Sequence, residues 1–341
     1  MIKRKIKNFF FKVLPCCISF GILLCFCVQD NNFINLLNIF PKINIFYFSF
    51  SIISIFIYWA VDTLTIKEFL PKISNSIFDY FKITMYGQFY GAITPFSSGS
   101  QASQVIILKS KGIDPGKSIS VLSQKFFISQ CWTIIISLIS MIFKSNKFQA
   151  QIPGFSFLTL VGFIIQCSGI LAVILFFLNK KKVMLLINWG LSLAERIKLI
   201  KNSKKVSNDL ENQLNFLIKN NFSINCGILV YVYCFIQNIC YCMTSFFIAK
   251  SFGCHGFPVL DFIAAQTFVN LISIANPLPG SAGTAEGSFL LLYREFFDVK
   301  NISSAMILFR LINYYLGMII GFIFVILSKF TDEKNKEANE K

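Results

Sequence analysis

The sequence predicts an all-α fold, a polytopic transmembrane helix bundle with two inverted repeats, each containing a re-entrant broken-helix segment. Three observations carry that expectation. Of 341 residues, 55% are hydrophobic, 41 are Phe and only 14% are charged, a composition outside the globular range and inside the membrane class. Six apolar stretches are long enough to cross a bilayer. Two further stretches are apolar at their ends but interrupted by Gly, Pro and Ser, and the lysines around them indicate the side from which each enters.

Taken in order, the first stretch is Val13 to Val28, preceded by Lys3, Arg4, Lys5, Lys7 and Lys12. It begins like a secretory leader, yet Gln29, Asp30 and Asn31 offer no small-residue cleavage site, so an uncleaved first span is expected. Ile45 to Leu64 follows, then the broken segment Phe78 to Leu108 around Pro95, then Ile119 to Phe143 and Phe155 to Leu178. A basic loop, residues 179–224, separates the halves. Within it, Val183 to Ile197 places apolar residues on one face beside basic ones, as an interfacial helix on an anionic leaflet would. The second half contains Asn225 to Ala249, the broken segment Val259 to Tyr293 around Pro277, and Ser303 to Leu327. Residues 1–328 thus read as one membrane domain with repeats at about 45–178 and 225–328, and residues 329–341 as a polar tail.

Charge parity sets the sense of the broken segments. Lys and Arg favour the cytoplasmic side, so the N-terminus and the loop 179–224 are both expected inside. Four full crossings already connect them, which leaves Phe78 to Leu108 to enter and leave from the cytoplasm, between Lys67/Lys72 and Lys109/Lys111/Lys117. The same arithmetic makes Val259 to Tyr293 enter and leave from outside and returns the C-terminus to the cytoplasm, in a cell membrane.

The two breaks resemble each other. Pro95-Phe-Ser-Ser-Gly99-Ser-Gln is followed 30 residues after Pro95 by Lys125, and Pro277-Leu-Pro-Gly280-Ser-Ala-Gly283-Thr-Ala-Glu286 is followed 33 residues after Pro277 by Arg310. Non-helical backbone at bilayer depth must face protein or a water-filled cavity, because each unpaired N–H or C=O in lipid costs several kcal/mol. A polar cavity is therefore expected. Half-helices starting near Gln101 and Thr284 would point their positive ends at it, an arrangement suited to phosphate. Gly99, Gly280, Gly283 and Gly287 would permit close approach, and Ser97, Ser98, Ser100, Ser281 and Thr284 would supply hydroxyls. Simple helix packing is the plainer use of such glycines.

An ionisable side chain inside an apolar span costs about 2.5 to 3.5 kcal/mol on insertion scales and so has a partner or a task. Lys125 and Arg310 are the expected holders of a lipid phosphate, with Arg bidentate; the plainer reading is snorkelling to an interface. Glu286, in the first turn of a half-helix, would pair with Arg310, receive a head-group ammonium, or serve the helix dipole. Asp62 reads as an interface residue. No metal or other cofactor is expected: ten of eleven cysteines fall in apolar runs, and Cys25/Cys27 and Cys240/Cys242 lack zinc spacing. His255, the sole histidine, stands in a short loop. The net charge of +16 is spread between apolar runs rather than in one aromatic-interleaved stripe, which argues against a nucleic-acid partner.

Asn276-Pro-Leu-Pro-Gly-Ser-Ala-Gly283-Thr-Ala-Glu286, followed by Ala305-Met-Ile-Leu-Phe-Arg310-Leu-Ile-Asn313-Tyr, resembles the signature of the lysylphosphatidylglycerol synthase transmembrane, flippase-like family. Thr94-Pro95 with Gly99 and Gln101 is similar to that family's earlier motif, with Ser98 where a second glycine is usual. The resemblance spans nearly the whole chain. It implies a membrane domain that moves or presents phospholipid, notably aminoacylated phosphatidylglycerol, between leaflets, with a role in resistance to cationic peptides. In bifunctional members a soluble domain follows and transfers lysine from charged tRNA. The twelve residues after Lys329 are too few to fold alone, so that chemistry is not expected here; a phosphatidylglycerol lysyltransferase is the alternative. The expected partners are the bilayer, an anionic or aminoacylated phospholipid and a second copy of the chain.

Overall fold

The computed structural model describes residues 37–149 apart from 72, residues 154–178 and 226–339, and isolated positions elsewhere. Apart from such isolated positions, the span at Val13 to Val28 and the amphipathic segment Val183 to Ile197 lie outside that description. The first half contains α1 (Ile45–Phe69), α2 (Ile77–Ala92), a single 3-10 turn (Pro95–Ser97), α3 (Gly99–Ser110), α4 (Pro115–Gln149) and α5 (Phe155–Leu178). The second contains α6 (Ile228–Ser251), α7 (Val259–Ser273), a 3-10 turn (Pro279–Ser281), α8 (Thr284–Leu292), α9 (Val299–Arg310), a π-helical turn (Leu311–Tyr315) and α10 (Leu316–Asn339). Helix, helix, turn, short helix, long helix is the order in both halves, with α5 added to the first. No strand occurs among the described residues.

Four helical runs are long and apolar enough to cross a membrane: Ile45–Phe69, Pro115–Gln149, Ile228–Ser251 and Val299–Ser328. The last is continuous through the π turn. At 35 residues, α4 extends beyond the expected Ile119 to Phe143 at both ends, about 50 Å of helix at 1.5 Å per residue. Its last turns reach charged partners: Lys144 and Lys147 bind Asp261, in the first turn of α7, at 2.7 and 2.6 Å. Lys111, just past α3, likewise binds Asp79 in the first turn of α2 at 2.7 Å.

The central contact joins the leading helices of the two halves. Asn44 caps α1 by accepting from the Phe46 and Tyr47 amides, and its own N–H donates to the Ser251 carbonyl at the far end of α6 at 2.8 Å. Halfway along, the Ser54 hydroxyl donates to the Cys240 carbonyl at 2.9 Å. Gly227, before α6, faces the Glu68 carboxylate near the end of α1. The two helices are therefore antiparallel along their whole length. Around them the long helices are exchanged: α4 packs on α7 of the other half, and α10 packs on α2. Close approach in the second pair needs Gly321, where a Cβ would stand 2.5 Å from the Met85 carbonyl oxygen.

The core explains part of the Phe content. Phe262, Phe268, Phe289, Tyr293 and Phe309 are buried where α7, α8 and α9 meet, with Phe289 and Tyr293 stacked at 4.0 Å. Many other apolar side chains face outward, among them Ile142, Phe143, Phe157 and Ile164. Such a broad exposed apolar girdle is what lipid contact requires, and no soluble surface would tolerate it.

Candidate polar site at the two helix breaks

Each break is built on a proline followed by two residues in the left-handed region. Phe96 and Ser97 have φ of 51° and 53°, and Gly280 and Ser281 have φ of 61° and 50°. Non-glycine residues there cost about 1–3 kcal/mol each. The matching geometry aligns Pro95 with Pro279, rather than with Pro277, and so brings Ser97 to Ser281, Gly99 to Gly283 and Ser100 to Thr284. It also tightens the cation spacing: Lys125 follows Pro95 by 30 residues and Arg310 follows Pro279 by 31. The two turns touch each other.

Side chains hold both turns closed. Thr94 Oγ1 accepts from the Gly99 amide at 2.8 Å and donates to the Tyr90 carbonyl at 2.7 Å. The Ser98 hydroxyl donates back to the Pro95 carbonyl at 2.9 Å. In the second turn Asn276 donates to the Ala282 carbonyl and to Thr284 Oγ1, both at 2.9 Å, and accepts from the Leu278 amide. Glu286 Oε2 accepts from the Gly283 amide at 2.7 Å. The amides of Gly99 and Gly283, expected to face a ligand, are thus bonded within the chain.

Arg310 is the hub of the second break. It is buried, with its Nε 2.8 Å from Glu286 Oε1, and its Nη1 donates to the Gly280 carbonyl at 3.0 Å. Its guanidinium lies 4.7 Å from the centre of the Tyr314 ring, within cation–π range. Nη2 has no hydrogen-bond partner among the described residues. Tyr314 in turn donates to the Ala92 carbonyl, at the end of α2, at 2.7 Å, so one side chain ties Arg310 to both breaks. Of the two pairings expected for Glu286 within the chain, the structure shows the ion pair with Arg310 and the cap on α8 together.

A cavity of about 340 Å³ opens where the breaks meet, with Ser97, Ser281, Gly280 and Arg310 in its wall. Ser98, Gly99, Gly283, Thr284 and Glu286 do not line it; Ser98 and Thr284 are exposed and Glu286 is buried. Lys125 lines an adjoining chamber of about 180 Å³, where it pairs with Asp62 at 2.7 Å. Tyr58, Gln88 and Ser100 line both spaces. Asp62 was expected at an interface; it is instead buried, accepting from Gln237 at 2.7 Å and from Thr84 at 3.3 Å. Its placement follows from the antiparallel α1–α6 contact, which brings Gln237 opposite it.

A family model described as the lysylphosphatidylglycerol synthase TM region matches residues 12–321. The chain belongs to this family. Both breaks, both chambers and every residue placed at them fall inside the matched region. The chain is also 26% identical over 300 residues to a UPF0104 membrane protein of Archaeoglobus fulgidus, covering 82% of this chain and 85% of that protein. No solved structure matches it.

Several wall residues escaped the sequence reading of this family member. Gln88, Gln266, Asn270 and Asn313 present amides to the larger cavity, and Tyr58, Tyr241 and Tyr314 present rings. Tyr58 on α1 and Tyr241 on α6 face each other with ring centres 6.2 Å apart. A signal existed, because an amide in an apolar span needs a partner just as an ion does, and these amides recur on the helices that carry the breaks.

Proposed function

We propose that this chain binds phospholipid through its head group and carries it between leaflets of a cell membrane, with aminoacylated phosphatidylglycerol as the cargo that the family suggests. The observation that carries this reading is the cavity at the junction of the two breaks, walled by hydroxyls, amides and one buried guanidinium. A head-group phosphate would accept from Arg310 Nη2 and from Ser97 and Ser281, while the acyl chains stay against the apolar exterior. Guanidinium is suited to the task because it binds phosphate oxygens through paired N–H donors and remains charged when desolvated. Glu286 and the Gly280 carbonyl hold that guanidinium in place; Lys125, one chamber away, is a second ligand once Asp62 releases it.

The reading extends to topology. Antiparallel leading helices and matched breaks support an inverted pair of repeats, whose rocking about a fixed midplane site would expose the cavity to each leaflet in turn. The N- and C-termini would then both be cytoplasmic. Movement of a cationic lipid to the outer leaflet would lower attraction for cationic peptides, which gives the reading a cellular consequence.

The test is a leaflet-transfer assay with purified protein in vesicles. Arg310→Gln should lower transfer of a labelled phosphatidylglycerol at least about tenfold, the equivalent of about 1.4 kcal/mol, with unchanged elution as folded protein. Full transfer by that variant would remove Arg310 from the site. Lysyl-phosphatidylglycerol made on expression in a host that lacks this lipid would instead favour a lysyltransferase.

A further inference from the structure

The two halves place a cation at matching positions, yet the two ion pairs differ in kind. In the second half an arginine, which stays protonated in proteins, meets a glutamate that is also committed to the Gly283 amide. In the first half a lysine meets an aspartate that is held by side chains alone, Lys125, Gln237 and Thr84. Glu286 is thus fixed by a backbone amide as well as a cation, whereas Asp62 is free to exchange its side-chain partners. A buried ion pair gains little stability over apolar packing, so the second arrangement needs a reason.

The surroundings supply one. The Asp62–Lys125 pair opens on a chamber of about 180 Å³, room for several waters at about 30 Å³ each, and hence for proton delivery. That chamber shares Tyr58, Gln88 and Ser100 with the larger cavity. Among the described residues, the polar and titratable groups around Asp62 and its chamber are Tyr58 on its own helix, Thr84 and Gln88 from α2, Gln101 and Gln104 from α3, Lys125 from α4, and Gln237 and Cys234 from α6. Lys125 is the only formal charge among them.

We propose that Asp62 is a proton-coupling site: it takes up one proton as a lipid phosphodiester enters, and this frees Lys125 to face the phosphate. The balance is simple. A proton from a hydronium ion forms one O–H bond on the Asp62 carboxylate and leaves a water. Lys125 keeps its three protons and its charge. The two ion pairs together change from zero to one positive formal charge, which matches the single negative charge of a phosphodiester. Transfer of phosphatidylglycerol is then an electroneutral proton symport. This inference rests on the lipid-translocation reading.

The experiment uses the full chain in phosphatidylcholine vesicles containing a short-tailed fluorescent phosphatidylglycerol, with a pH-sensitive dye inside. Inward transfer should acidify the lumen. An imposed gradient of one pH unit should bias the leaflet distribution about tenfold toward the alkaline side, since one unit corresponds to about 1.4 kcal/mol. Asp62→Asn should lose both the dye signal and the response of the leaflet distribution to the gradient. Lys125→Arg holds the carboxylate more firmly, so its transfer optimum should move to lower pH; should Asp62→Asn fail to fold, this shift decides the matter, and an unmoved optimum overturns the proposal. Wild-type transfer that ignores the gradient overturns proton coupling and leaves lipid translocation standing. An absence of transfer in the wild type overturns both.

Discussion

Gly280 concentrates two constraints in one residue. Its φ is +61°, and a Cβ there would lie 2.3 Å from Cε2 of Tyr314, the ring beneath Arg310. Gly283, at φ +89°, has open space where its Cβ would go. Alanine at Gly283 should therefore cost only the left-handed strain, about 1 kcal/mol, whereas alanine at Gly280 should add the displacement of Tyr314 and exceed about 2 kcal/mol. Thermal melts in detergent would rank the two, and equal losses would mean that Tyr314 gives way freely. At this scale the sequence was informative about type and poor about partnership. Arg310 and Glu286 stood out because ions in apolar spans are few, and their pairing was among the expected outcomes. Asp62 with Lys125 was not legible, because 63 residues separate them and only the folded α1–α4–α6 contact brings them together. Cys254 illustrates the opposite case, a loop thiol that burial pushes up to about 11. Little of it is thiolate at neutral pH, so maleimide should label it slowly there and faster as the pH rises towards 11.

At the scale of elements, the exchange of long helices makes each half depend on the other. The α10–α2 contact is the more exacting, because Gly321 brings backbone against backbone at Met85. Gly321→Leu should separate the two helices and cost at least about 2 kcal/mol by overpacking. Gly169→Leu on α5, where a Cβ meets nothing within 4 Å, should leave the melting temperature nearly unchanged; comparable losses in both would deny that this contact is tight. The elements themselves were legible because proline and glycine punctuate a helix strongly. The alignment of the breaks was misplaced by two residues, since Pro277 and Pro279 present the same signal and only the backbone angles choose between them. The π turn at Leu311–Tyr315 had no sequence signature at all. It follows Arg310 directly, and such turns are frequently found at functional sites.

For the whole molecule, the decisive question is whether the breaks lie at bilayer depth and open to opposite sides. The bundle carries its polarity inside, around two chambers, and its apolar side chains outside, the reverse of a soluble domain. Antiparallel α1 and α6 mean that if α1 crosses in one direction α6 crosses in the other, so Pro95–Ser97 and Pro279–Ser281 would be approached from opposite faces. Single cysteines at Ser98 and Ser281, in a background where the eleven native cysteines are replaced, would report this with membrane-impermeant maleimide. Ser98→Cys should react from the cytoplasmic side and Ser281→Cys from the outside, each at least about tenfold more slowly than a cysteine in an open loop, because the breaks are reached only through the protein. Phosphatidylglycerol should slow both further if the shared cavity is where the head group sits. Labelling of both from one side, at the rate of an open loop, would mean that these turns are surface connections. The polar cavity between them would then be a crevice in a folded helical bundle rather than a station within the membrane.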